Sequence, residues 1–163
     1  MISIQELARA KTIWTIRKYR NDEDFKKDNP FEVSRFDGNC LLNEGIAALQ
    51  NLLIGNAETN YGNANAYIGV GDSTTAEDPA QTGLIAATNK LWKPMEATYP
   101  EISAQKTTWR AVFGSADANY SWQEFTVVNA SSDTGDNLNR KVSDQGTKAA
   151  GQTWTVDLEI TWS

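Results

Sequence analysis

The end of the chain alternates without a break. Trp154, Val156, Leu158, Ile160 and Trp162 are large and apolar, and Thr153, Thr155, Asp157, Glu159 and Thr161 fall between them. A period of two places one set on each face of an extended chain, whereas a helix would scatter both sets around its circumference. The segment therefore reads as a half-buried antiparallel strand with five apolar groups facing a core. Burying them contributes about 1.5–3 kcal/mol each by transfer estimates, more than any single surface contact. The rest of the chain has to supply a second apolar layer to cover that face.

Composition agrees with a β protein. Six Trp and five Tyr accompany frequent Thr and Val, which suit pleated surfaces, and fourteen Asn and eleven Gly supply turns. At 163 residues the chain is long enough to bury an ordinary core. Lys106–Phe113 (KTTWRAVF) reads as a strand with Trp109, Ala111 and Phe113 on one face. Tyr120–Val128 reads as another, with a bulge or twist where its apolar face switches between Trp122 and Phe125. Tyr67–Val70 and Leu138–Val142 are shorter candidates. The one helix expected is 43–54, capped by Asn43 and stopped by Gly55, with Ile46, Leu49, Leu52 and Leu53 along its apolar face. The expected fold is mainly β: an antiparallel β-sandwich or barrel-like domain with one short packing helix and an extended N-terminal arm.

That arm is the part least like the rest. Residues 1–36 carry eight Lys/Arg against six Asp/Glu, while residues 37–163 carry seven against fifteen, which together make the net charge of −6. Lys11–Arg20 alternates with neither face purely apolar, the pattern of an edge strand or an extended arm. Residues 21–30 (NDEDFKKDNP) read as an exposed charged loop, and 31–36 as a second short strand. The expected organisation is an N-terminal arm over 1–38 and a β-rich domain over 39–163.

Little chemistry is available. The chain has no histidine, which removes the usual general base, the Ser-His-Asp and Cys-His arrangements and the commonest transition-metal ligand. Its single cysteine, Cys40, cannot form an intrachain disulfide and reads as a small core residue. The run Gly69-Val70-Gly71-Asp72-Ser73 resembles a phosphate cradle only superficially. No Gly-Lys-Ser/Thr follows it, there is no third dinucleotide-loop glycine, and Ser73 lacks the flanking glycines of a nucleophile elbow. Close backbone packing and a turn out of the Tyr67–Val70 strand explain the two glycines better. No enzyme activity, cofactor or metal is expected. An acidic chain is a poor partner for nucleic acid, and no apolar run approaches the roughly 20 residues that cross a bilayer. Without a signal-peptide pattern, the expected setting is a reducing cytoplasm at assembly.

Four segments in order carry a resemblance: NCLLNEG at 39–45, AYIGVGDSTTAED at 66–78, WRAVFGSADANYSWQEFTVVNA at 109–130 and LNRKVSDQGTKAAGQTWTVDLEITWS at 138–163. The series resembles a family of small virion structural proteins of tailed bacteriophages. The first 38 residues fall outside it. The resemblance implies a structural role in the virion without catalysis. A head decoration (cement) protein would bind the major capsid protein and assemble as a homo-oligomer, with a trimer favoured. On that expectation the N-terminal arm bridges capsomers, with Trp14, Tyr19, Phe25, Phe31 and Phe36 as anchors in partner pockets. A tail or tail-fibre module is the alternative. It would recognise a host-surface sugar or protein through loop aromatics such as Tyr61, Trp92 and Tyr99.

Overall fold

The computed structural model describes residues 10–163. Among them the chain forms β1 (Ala10–Tyr19), α1 (Asp22–Lys26), β2 (Glu32–Asp37), β3 (Cys40–Leu41), α2 (Asn43–Ile54) and β4 (Tyr67–Gly71). It continues through β5 (Lys90–Pro94), β6 (Glu101–Ser103), β7 (Lys106–Phe113), β8 (Glu124–Val128), β9 (Asn139–Val142) and β10 (Thr153–Trp162). Two five-stranded antiparallel sheets result, ordered β2-β1-β10-β7-β6 and β3-β9-β8-β4-β5. They face each other as a β-sandwich. No described helix is long and apolar enough to cross a membrane.

The C-terminal strand sits at the centre of the first sheet, as its alternation demands. β10 pairs with β1 from Thr153 to Trp162 and with β7 from Trp154 to Thr161. Trp154, Val156, Leu158 and Ile160 are buried against Ile68, Val70, Phe125 and Val127 of the second sheet. Trp162, at the open end of the strand, is 39% exposed and lies outside that core. Trp122 closes the top, edge-on to Phe113 and Trp154 at centroid distances of 4.9 and 4.8 Å. Such tilted aromatic pairs add about 0.5–1.5 kcal/mol beyond area burial.

The N-terminal region differs from expectation. β1 is an interior strand, flanked by β10 on one side and by β2 on the other, and β2 forms the edge. Residues 10–37 therefore pack as part of the first sheet and not as an extended arm. The mixed pattern of β1 has a physical origin: its outer face is itself half covered, so Tyr19 is buried there opposite the inward-facing Trp14 and Ile16. The stretch read as a charged loop contains α1, whose first turn is capped by Asn21 Oδ1 accepting from the Asp24 backbone N–H at 2.8 Å. Residues 1–9 lie outside the described residues.

Helix α2 has the expected length and its Gly55 stop, in the left-handed region at φ 75°. Its cap and its buried face differ. Leu42 is the N-cap residue and Asn43 begins the helix, with no side-chain cap bond. Gly45 and Ala48 are buried, whereas Ile46, Leu53 and Ile54 are 39%, 86% and 72% exposed. Gly45 explains the rotation. Its backbone lies directly on Leu138, where a Cβ would come within 2.5 Å of the Leu138 Cα and carbonyl oxygen. Glu44 fixes the same contact by accepting the Asn137 N–H at 2.7 Å. The helix docks through its smallest residue, and part of its apolar face is left in solvent.

The expected strand 120–128 is regular only from Glu124 onward. Before it, Trp122 N donates to Gly146 O and Gln123 N to Gly71 O, so the backbone changes partners where the apolar face switches.

Candidate functional site

The outer face of the first sheet carries a polar cluster assembled from three strands. Thr15 on β1 and Arg110 on β7 flank Asp157 on β10, and Arg17 and Val112 flank Thr155. Arg110 grips Asp157 through two bonds, Nε to Oδ1 at 2.7 Å and Nη2 to Oδ2 at 2.6 Å. Arg17 Nη1 adds a third at 2.9 Å to Oδ2. The carboxylate is covered by the guanidiniums it binds, while both arginines keep about a third of their side chains exposed. Bidentate, charge-assisted bonds of this kind fix the planes of the guanidinium groups.

Two elements rise on either side of this floor. Phe25 of α1 packs edge-on against Tyr19, with centroids 5.3 Å apart. On the β7 side, the turn at 96–99 is tied down by Glu96 N donating to Arg110 O, and the Arg110 guanidinium lies 4.6 Å from the Tyr99 ring centroid. Between them lies a cleft of about 380 Å3, to which Asp28 and Glu96 also contribute. Tyr19 donates its hydroxyl to Asp28 Oδ1 at 2.8 Å. Burial, reinforced by that carboxylate, pushes the Tyr19 phenol up to about 12, so it stays a donor at neutral pH.

A second charged cluster is closed. Glu124 and Arg140 are both fully buried. Arg140 Nε donates to Glu124 Oε2 at 2.8 Å, and its Nη1 donates to the carbonyls of Thr75 and Ala76 and to Gln81 Oε1. The Glu124 carboxylate also accepts the backbone N–H groups of Ile85 and Ala86, at 2.9 and 2.8 Å. Glu77 Oε1 accepts from Val142 N and Asp133 Oδ1 from Leu84 N. The long segment after Gly71 is thereby stapled to the second sheet at both ends. Gly71 sits against the Glu124 carboxyl, where any Cβ would collide, which agrees with the close packing expected of it.

The expected anchor residues separate into two groups. Trp14 is in the core, stacked on Phe36 at 6.4 Å and 8°, and Phe36 packs on Phe125 at 5.5 Å. Tyr19 is buried as well. Trp14 and Tyr19 therefore pack within the fold, and Phe36 is half-buried beside Trp14 on the edge strand β2. Phe25 lines the cleft, and Phe31 is 37% exposed beside the Arg20 guanidinium. Of the loop aromatics, Tyr61 is buried with its hydroxyl on Asp136 O, Trp92 is half-buried beside Lys90, and Tyr99 stands in the cleft. Burial pushes the Cys40 thiol up, which lowers its thiolate fraction.

Sequence reasoning missed Arg17, Arg110 and Asp157. Alternation places each on the polar register of its strand, but only the strand order β1-β10-β7 makes them neighbours. Compared with family models, with curated proteins and with solved structures, the chain matches none of them.

Proposed function

We propose that this chain is a non-enzymatic structural protein of a tailed-phage particle, a head decoration protein that binds and stabilises the major capsid protein lattice. One observation carries the reading: the apolar side chains at the end of α2, where Leu53 and Ile54 are 86% and 72% exposed, with Ile46 partly exposed two turns earlier. Neighbouring large apolar side chains left this exposed on a domain with a well-packed core fit a protein–protein contact. The order of the four segments resembling small virion proteins supports the same reading. So does the use of ionisable groups, since Glu124, Arg140 and Asp157 are engaged in bonds that hold strands and loops. A homotrimer would let several such ridges act together on the lattice.

The test is binding to empty heads. The wild-type chain should load in hundreds of copies, in stoichiometry with the capsid protein. Leu53→Ser combined with Ile54→Ser should abolish loading while leaving the melting transition in place. Undiminished loading of the double variant, or a native copy number of a few dozen, overturns the proposal. Deleting residues 1–36 would not test it, because β1 is part of the sheet and the deletion unfolds the domain. The alternative, a tail or tail-fibre module contacting a host-surface receptor, rests on the cleft beside Tyr99.

A further inference from the structure

We infer that the cleft on the outer face of the first sheet is a binding site for a neutral saccharide. Its walls are the half-buried rings of Phe25 and Tyr99, standing on opposite sides of β10. The C–H face of a sugar ring is apolar and packs on such surfaces, while its hydroxyls need partners that donate and accept. Both kinds are present. Arg17 spends only Nη1 on Asp157, and Arg110 spends Nε and Nη2, so Arg17 Nε and Nη2 and Arg110 Nη1 have no protein acceptor among the described residues. Among the described residues Glu96 receives no protein donor on its carboxylate, and Asp28 uses one oxygen for Tyr19.

The charge balance argues for a neutral ligand. Two guanidiniums face the carboxylates of Asp157, Asp28 and Glu96, a sum of −1 that favours neither a polyanion nor a compact cation. Donors and acceptors in alternation fit vicinal hydroxyls, each of which does both. The donors are also preorganised: the bonds to buried Asp157 hold both guanidinium planes before a ligand arrives. Beneath them the Thr155 hydroxyl, on a residue 4% exposed at the cleft floor, has no hydrogen-bond partner among the described residues. The cleft volume of about 380 Å3 falls within the range of roughly 300–1,000 Å3 typical of small-molecule sites.

The inference is independent of the lattice contact, which lies on α2 and packs on the other sheet. The experiment titrates the full chain with methyl glycosides of glucose, galactose, mannose and N-acetylglucosamine, and with acetate and methyl glucuronide as anionic probes. Shifts of the backbone amides at 96–99 and of the Arg17 and Arg110 Nε–H resonances are followed by NMR. At least one neutral glycoside should give a saturable shift with millimolar affinity. Tyr99→Ala should weaken that binding roughly tenfold, as loss of an aromatic wall predicts. Glu96→Ala, a change on an exposed side chain, should weaken it by a similar factor, and Leu53→Ser should leave it unchanged. The inference is overturned by no saturable shift up to about 100 mM, a concentration that would reveal even very weak binding. It is equally overturned by shifts insensitive to both cleft variants, or by either anionic probe binding tighter than every neutral glycoside.

Discussion

Glu124–Arg140 and Asp157 with its two arginines use the same pair of functional groups for different ends. In the first, both partners are fully buried; Glu124 also accepts the N–H groups of Ile85 and Ala86, and Arg140 Nη1 donates to the Thr75 and Ala76 carbonyls and to Gln81 Oε1. In the second, the carboxylate is buried, but the guanidiniums keep a solvent-facing side and unspent N–H groups. The closed pair holds the long loop after Gly71 against the second sheet. The open cluster holds donors still for something outside the chain. Burial of the cation, more than the ion-pair distance, separates architecture from recognition here.

Breaking the closed pair should have the largest effect. Glu124→Gln leaves Arg140 buried without a counter-charge, which costs about 3–5 kcal/mol. Hydrogen exchange at the amides of Ile85 and Ala86 should accelerate beyond the global change, because their acceptor is weakened. A loss below about 1 kcal/mol in denaturant titration would show that Arg140 has access to water and that the pair is not closed. Asp157→Asn should cost less, about 1–3 kcal/mol, since both arginines can turn to solvent. Exchange protection of the β1–β10 ladder should survive it, as those backbone bonds do not involve the carboxylate.

Lys148 is an intermediate case: a buried cation bonded to neutral oxygens, Gly114 O at 2.7 Å and Asn119 Oδ1 at 2.9 Å. Burial lowers its ammonium to about 8, against an upward pull from Asp117. A lysine released at about 10.4 when unfolded binds more protons in that state between the two values. Stability should therefore rise with pH across that window, by on the order of 1 kcal/mol between pH 8 and 9.5. Above pH 10 it should fall again, because the buried phenols of Tyr61 and Tyr120 are held protonated in the fold and ionise more readily in the unfolded chain. Lys148→Met should flatten the rise and leave the fall. A wild-type profile flat from pH 8 to 9.5 would mean that the ammonium is well solvated.

The smallest expected effect sharpens the contrast. Arg17→Met removes the more loosely held end of the open cluster and should cost roughly 0.2–1 kcal/mol, as for other part-exposed pairs. Thermal melting is sufficient to check it. A loss comparable to Asp157→Asn would show that Arg17 carries as much of the cluster as Arg110.

Much of the sandwich was legible in residue order. The alternation of Trp154 to Trp162, the strand at Lys106–Phe113 and the helix over 43–54 all stand where period and stop signals placed them. The orientation of α2 was not legible. Leucine spacing identifies an apolar stripe, whereas docking through Gly45 depends on the backbone of Leu138, more than ninety residues away. The role of β1 was hidden for a related reason. Its outer face is covered in part by α1, whose Phe25 packs on Tyr19, so the sequence of β1 alone shows no clean polar side.

Local order thus determined which residues extend, which coil into the packing helix, and which face of each strand can be buried, because these depend on a period of two or 3.6 and on nearby turn residues. Tertiary structure decided the neighbours. Asp157 meets Arg17 from 140 positions earlier and Arg110 from 47, and Glu124 meets Ile85 from 39. Alternation constrains the face a side chain occupies but carries no information on the strand that will lie beside it. The closed pair, the open cleft and the uncovered helix ridge all follow from that second choice.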